Sequence, residues 1–306
     1  VALARLLSMV ERGGDGAREV AAAVHPFAAG AQLAGITGSP GAGKSTLTSS
    51  LCSVLRARDE RVAVLAIDPS SPFTGGAILG DRVRMGEHAL DDGVFIRSMA
   101  TRGHLGGLSV ATPEAARVLD AAGFDRVIVE TVGVGQVEVE VAGAADTTVV
   151  VVNPGWGDAV QAAKAGLMEI ADLFVINKAD RPGAGEARRD LEGMLAMAAS
   201  SSWRPPVIDT VALRGDGVEG LADELERHRC WLRDSGEGAR RREQRAEREL
   251  RDVVAARLVE RAEQLCDGPA WTEALRGVVD GRTDPWSAAD GLLGDASASS
   301  KGSSEP

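Results

Sequence analysis

The run Gly38-Ser39-Pro40-Gly41-Ala42-Gly43-Lys44-Ser45 leaves this chain few folds to choose from. It has the form G-x-x-x-x-G-K-[ST], a loop whose successive main-chain N–H groups turn inward around phosphate oxygens. Such a loop needs a buried strand before it and a helix after it. The strand holds the turn, and the helix presents its positive N-terminal end to the anion. Both flanks are present. Leu33-Ala34-Gly35-Ile36-Thr37 reads as a strand, and Ser45 to Leu55, opening Ser45-Thr46, reads as a helix. The pattern assigns Lys44 to the β- and γ-phosphates and the Ser45 hydroxyl to Mg²⁺. The expected fold is α/β, a doubly wound, mostly parallel sheet.

Composition narrows the partners. The 306 residues are 44% hydrophobic, enough for a sizeable core, but only 3% aromatic and without tyrosine. Packing therefore falls to Leu, Val, Ile and Ala. A net charge of −11 argues against nonspecific nucleic-acid binding, which relies on basic surface. No apolar run approaches ~18 residues, so no membrane-spanning helix is expected. The start carries acidic residues and no signal-peptide pattern, and Cys52, Cys230 and Cys266 have no short spacing. Both features fit a reducing, cytoplasmic setting, with neither a disulfide framework nor a zinc site. Of the 34 basic residues, the lysines are Lys44, Lys164, Lys178 and Lys301 alone. Three of them fall in or beside nucleotide motifs, where a planar guanidinium does not replace a compact ammonium.

Residues 1–30 read as an N-terminal helical extension that packs on the nucleotide domain, 31–218, through Leu3, Leu6, Leu7 and Val10 on one helix and Val20 and Val24 on the next. A second strand, Arg61 to Ile67, ends at Asp68. A long Gly- and Pro-rich loop follows to Asp81. Long loops at the C-terminal ends of strands are where α/β folds bind ligands, so Asp68 and Asp81 are candidate carboxylates on the Mg²⁺ side. Val94 to Met99 is a third strand, followed by a glycine-rich loop holding Arg102. Pro113 to Ala122 is a helix with Thr112 as its cap.

Arg126 to Val129 begins the strongest strand, which ends in Glu130-Thr131-Val132-Gly133-Val134-Gly135-Gln136. An acid closing a hydrophobic strand suits the Mg²⁺ side, and the glycines after it suit a switch loop that responds to a γ-phosphate. Gln136 is a candidate for orienting water. After the strand Thr147 to Val152, Asp158, Gln161 and Lys164 recur at helical spacing and share one side of a helix start. The strand Leu173 to Ile176 ends in Asn177-Lys178-Ala179-Asp180, or N-K-x-D. An aspartate there accepts from guanine N1–H and the 2-amino group, which adenine does not offer, while the Lys178 stem packs on the base. This motif stands about 130 residues beyond the phosphate loop, in the chain order of GTP-binding folds. After the last strand, Pro206 to Val211, Ala212-Leu213 is positioned to offer a main-chain N–H to the guanine carbonyl.

From residue 219 the character changes. Residues 219–267 read as a C-terminal helical arm, one charged helix and then a long one striped by Leu250, Val253, Val254, Leu258 and Leu265. That stripe wants its own core or a second copy of the chain. Arg240-Arg241-Arg242 is interleaved with acids and reads as solvated surface. Residues 268–306 read as a disordered tail.

Taken together, these motifs make the chain resemble the GTPases associated with methylmalonyl-CoA mutase, the MeaB/ArgK/MMAA group of P-loop metallochaperones. The similarity runs from about Leu3 to about Leu265 and rests on the phosphate loop, Asp68-Pro-Ser-Ser with Gly-Asp81, and Arg102-Gly-His-Leu-Gly-Gly. Glu130-Thr-Val-Gly-Val-Gly-Gln136, Pro154-Gly-Trp-Gly-Asp158 and Asn177-Lys-Ala-Asp180 complete it. The resemblance implies a cytoplasmic homodimer, built by the C-terminal arm, that binds GTP and GDP with Mg²⁺. It implies slow GTP hydrolysis alone, faster when bound to an adenosylcobalamin-dependent acyl-CoA mutase whose cofactor loading it gates. It implies that Ser45, Asp68, Asp81 and Glu130 surround Mg²⁺. Asp158, Gln161 and Lys164 would form a third switch, with Lys164 tied to stimulated hydrolysis. Relatives handling nickel or cobalt carry Cys/His clusters that this chain lacks. Val137, Ala159 and Ala165 depart from the family's usual residues, which bears on partner choice. The rival readings are a P-loop kinase or ATPase linked to amino-acid transport, and a metallochaperone for another metal enzyme.

Overall fold

The computed structural model describes residues 2–28, 30–69, 86–88, 90–101, 107–131, 143–155, 166, 168–197 and 202–299. They fall into two units, residues 1–249 and 250–306. In the first, seven strands form one sheet: β1 (Gln32–Gly38), β2 (Val62–Pro69), β3 (Val94–Thr101), β4 (Arg126–Thr131), β5 (Thr147–Val152), β6 (Leu173–Asn177) and β7 (Val207–Thr210). Their order is β3-β2-β4-β1-β5-β6-β7, and every pairing is parallel.

A parallel sheet is covered on both faces, so its strands read as continuous apolar runs. Alternate side chains of one strand then enter different cores. On β2, Val62 and Val64 join Leu47, Leu51 and Leu55 of α3 (Lys44–Ala57) and Leu221 and Leu225 of α6 (Val218–Asp234). Ala63, Leu65 and Ile67 face the other way, onto α1 (Ala2–Arg12), α2 (Gly14–Val24) and α4 (Gly107–Ala121). Phe174 and Ile176 of β6 pack with Leu191 of α5 (Ala184–Met197) in a third cluster. Burying each large aliphatic side chain contributes about 1.5–3 kcal/mol before entropy is charged against it. Arg97 on β3 ties α1 down, donating to Glu11 at 2.7 Å, Ser8 Oγ at 3.0 Å and the Ala4 carbonyl at 3.1 Å.

Helix α4 starts at Gly107, so the expected start at Pro113 with a Thr112 cap is corrected. Pro113 lies inside the helix and Thr112 is buried. The expected disordered tail is also corrected. α7 (Glu237–Leu265) is followed by two helices, α8 (Gly268–Val279) and α9 (Pro285–Ser299). A proline stands at the start of each, where its missing N–H costs nothing and its fixed φ suits a helix. Asp284 caps α9, accepting from Trp286 N at 2.9 Å and Ser287 N at 3.1 Å. In the second unit, Leu250, Val254, Leu258 and Val259 of α7 are exposed. Among the described residues, no helix is long and apolar enough to cross a membrane.

The base of the sheet, where the parallel strands begin, holds a buried polar layer. Gln32 Nε2 donates to Thr147 Oγ1 at 3.3 Å and to the Leu225 carbonyl at 3.2 Å. Thr147 Oγ1 lies 2.8 Å from His228 Nδ1, and His228 Nε2 lies 3.4 Å from Asp172 Oδ1. Desolvation depresses the His228 pKa to about 4. Arg241 assists, and Asp172 and Asp146 oppose without prevailing. The unfolded imidazole titrates near 6.5, so between 6.5 and 4 the unfolded chain binds the extra proton. Stability is therefore lost as pH falls through that window. From pH 7 to pH 5 the His228 contribution should fall by about 2 kcal/mol. Urea unfolding of the wild type and His228→Gln at both pH values tests this. Parallel pH dependences in the two proteins would count against it.

Candidate functional site

The phosphate loop leaves the C-terminal end of β1 between β4 and β5, with Ile36 opposite Glu130 and Gly38 opposite Val151. At Gly38 (φ +131°) an added Cβ would run into the Val151 main chain, so a side chain would push the loop off its neighbouring strand. Lys44 is buried. Its Nζ donates to the carbonyls of Gly38 at 2.7 Å and Ser39 at 3.1 Å, which holds the ammonium curled against the loop. Ser45 Oγ donates to Glu130 Oε1 at 2.5 Å, joining the first turn of α3 to the end of β4. Pro40, Gly41 and Ala42 form the turn between these contacts. Thr46 follows in α3, whose N-terminus faces the loop.

The second motif closes over the first. Asn177, at the end of β6, donates from Nδ2 to the Ala42 carbonyl at 2.8 Å. Its Oδ1 accepts from Ala212 N at 3.1 Å and Thr210 Oγ1 at 3.2 Å. Gly43 (φ +92°) has no room for a Cβ, because Asn177 Nδ2 occupies that space. Lys178 takes a left-handed backbone, φ 60°, uncommon outside glycine. Its Nζ donates to the Gly41 carbonyl at 2.6 Å. The half-exposed Asp180 carboxylate lies 3.8 Å from Arg214 Nη1, while Arg214 Nε bonds Asp216 at 2.7 Å. Ala212 spends its N–H on Asn177, and Leu213 after it is exposed.

Two hard oxygen donors, the Ser45 hydroxyl and the Glu130 carboxylate, thus converge below the phosphate loop. That donor chemistry fits Mg²⁺. β2 runs beside β4 with Ala66 opposite Glu130 and Ile67 opposite Thr131, so the Asp68 backbone lies at the same end of the sheet. The Asp68 side chain lies outside the described residues, as do Asp81, Arg102, Gln136, Val137, Asp158, Ala159, Gln161, Lys164 and Ala165. Cys52, on the buried side of α3, has its pKa raised by burial, Glu130 and Glu87 to about 12, which keeps the thiol protonated and unreactive.

One residue and one contact here were not read from the sequence motifs. Arg214 follows the Ala212-Leu213 pair directly, and its nearness in sequence was the available signal. Thr131 Oγ1 donates to Thr37 Oγ1 at 3.1 Å across β1 and β4, a cross-strand pairing that no sequence signal reveals.

A triphosphate-cradling loop interlocked with a guanine-type N-K-x-D loop on a parallel sheet defines a P-loop GTPase. Over residues 3–266 the chain matches the family described as "Methylmalonyl Co-A mutase-associated GTPase MeaB". It is 49% identical over 296 residues to a Pyrococcus abyssi protein provisionally named a GTPase, a match spanning 95% of this chain and 91% of the other. It is 41% identical over 234 residues to "GTPase ArgK" of Escherichia coli, covering 75% and 71%. It is 36% identical over 268 residues to "Methylmalonic aciduria type A homolog, mitochondrial" of Mus musculus, covering 85% and 64%. The crystal structure of a protein described as "LAO/AO transport system kinase" superposes with a TM-score of 0.70 at 28% identity, covering 96% and 92%. The chain belongs to the MeaB family of methylmalonyl-CoA mutase-associated GTPases.

Proposed function

We propose that this GTPase acts as a chaperone for an adenosylcobalamin-dependent acyl-CoA mutase, with methylmalonyl-CoA mutase the leading candidate. Its guanine-nucleotide state gates cofactor loading and protects the mutase. The observation that carries the reading is the family match across residues 3–266, joined to an interlocked phosphate and base site. The working unit is a homodimer paired through the exposed apolar side of α7 in the second unit, in a cytoplasmic setting.

In the proposed mechanism Lys44 exchanges the carbonyls of Gly38 and Ser39 for β- and γ-phosphate oxygens. The main-chain N–H groups of residues 38–46, Pro40 excepted, wrap the phosphates. Asp180 reads the guanine edge, Lys178 packs on the base, and the Leu213 N–H takes the guanine carbonyl. Ser45, Asp68, Asp81 and Glu130 would hold Mg²⁺, which when bound supplies positive charge against the phosphates. Asp158, Gln161 and Lys164 form a third switch that the mutase completes. Intrinsic turnover is accordingly slow.

GTP turnover measured with and without purified mutase tests the proposal. It should rise at least tenfold in the complex, the scale of one added transition-state contact. Lys164→Ala should abolish the rise while leaving basal turnover within about twofold. Equal rates with and without every candidate mutase would remove the partner from the proposal and leave the GTPase. A kinase linked to amino-acid transport would instead pass the phosphoryl group to an acceptor other than water. Free phosphate released in step with GTP consumed would count against that rival.

A further inference from the structure

A cavity of about 970 Å³ opens at the N-terminal ends of β5, β6 and β7, across the sheet from the phosphate loop. Its volume is of the size that holds a drug- or nucleotide-sized molecule. The lining runs against the character of the chain. In a protein of net charge −11, five guanidinium groups converge here: Arg204, Arg240, Arg241, Arg245 and Arg248. The carboxylates facing them are Glu169, Asp172 and Glu237.

The arginines divide by what they hold. Arg241 and Arg245 stand one turn apart on α7 and are committed to the base of the sheet. Arg241 donates to Asp172 at 2.9 and 3.1 Å, and Arg245 to Asp146 at 2.5 Å and the Ala145 carbonyl at 2.7 Å. Arg240 and Arg241 both serve Glu237, whose carboxyl they hold down at about 2. These pairs use up Asp172 and Glu237 and fix the wall. Arg204 and Arg248 form no ion pair among the described residues. Arg248 lies over Gly143, where an added Cβ would strike its guanidinium, so its charge stays at the cavity rim. Trp203 and Trp231 supply an apolar side, their ring centroids 5.3 Å apart and their planes tilted by 40°, with Arg227 over the Trp203 ring and His228 stacked on Trp231. Trp203 is held by its Nε1 donating to the Asp172 carbonyl at 2.8 Å.

Guanidinium groups recognise phosphate oxygens through paired N–H donors, and indole and guanidinium planes stack on flat rings. We infer that this cavity is a second ligand site, separate from the GTP site, that takes a phosphorylated small molecule bearing a planar ring, of the nucleotide class. Its floor is Met168 to Asp172, the end of the segment that carries Asp158, Gln161 and Lys164.

The test uses the full chain saturated with Mg²⁺ and GDP, so that the phosphate loop is filled, and equilibrium dialysis against radiolabelled ADP. One ADP per chain should bind on top of the GDP. The Arg204→Ala/Arg248→Ala double variant should weaken binding at least tenfold, the scale of a lost charge-assisted contact. Its thermal unfolding midpoint and GTP turnover should be unchanged. Tripolyphosphate should bind more weakly than ADP. No ADP bound in the presence of GDP, or affinity indifferent to the double substitution, would overturn the site. Tripolyphosphate binding as tightly as ADP would overturn the ring-bearing ligand class.

Discussion

Lys44→Ala is expected to lower GTP turnover by roughly two to three orders of magnitude, the scale of removing one preorganised donor from a charged transition state. The side chain is buried, and its ammonium is already within the loop, 2.7 Å from the Gly38 carbonyl and 3.1 Å from that of Ser39. Those two bonds are released when the lysine turns to a phosphate, so little reorganisation opposes the exchange. Alanine removes the charge where negative charge accumulates. Lys44→Arg should not rescue, because a planar fork does not fit a seat made for a compact ammonium. The fold should survive, since the helix keeps its apolar side on Leu47, Leu51 and Leu55. Single-turnover hydrolysis with thermal unfolding as control decides the matter. Turnover within threefold of wild type, with an intact fold, would remove Lys44 from the mechanism.

Asp180→Asn is expected to weaken GDP binding by about a hundredfold and to raise affinity for xanthosine diphosphate. A carboxylate accepts two charge-assisted hydrogen bonds from guanine, each worth about 1.5–3 kcal/mol. An asparagine retains one acceptor and offers an N–H where xanthine carries a carbonyl, so the preference should invert rather than vanish. The neighbourhood tolerates the change. Arg214 stands 3.8 Å from Asp180 but is bonded to Asp216 at 2.7 Å, so no close ion pair is broken. Competition binding with both diphosphates measures the inversion. GDP affinity within twofold of wild type would show that the base is read elsewhere.

Much of the architecture was legible along the chain, and the reasons are local. β5 was expected at Thr147 to Val152 and is found there, because all six side chains are buried and β-branched types suit that setting. The two nucleotide motifs are patterns within a few residues and need no fold to be seen. The start of α4 was missed because a proline is an ambiguous marker, a first-turn residue in most helices and an interior one here. α9 was missed because its many small residues resemble a disordered segment in composition, and α8 was missed although Trp271, Leu275, Val278 and Val279 give it an apolar side. Proline starts and the Asp284 cap supply order that composition does not register.

By itself the sequence determined the sheet's strands, the phosphate-binding loop and the base-reading loop, since each depends on burial period or backbone freedom within one short stretch. The tertiary structure alone decided that Asn177 packs where a Gly43 side chain would be, that Lys178 reaches Gly41, and that Arg204 and Arg248 share a cavity with Trp203 and Trp231. These contacts join residues from separate strands and helices, and their distances follow from strand order and register, which no local window of sequence contains.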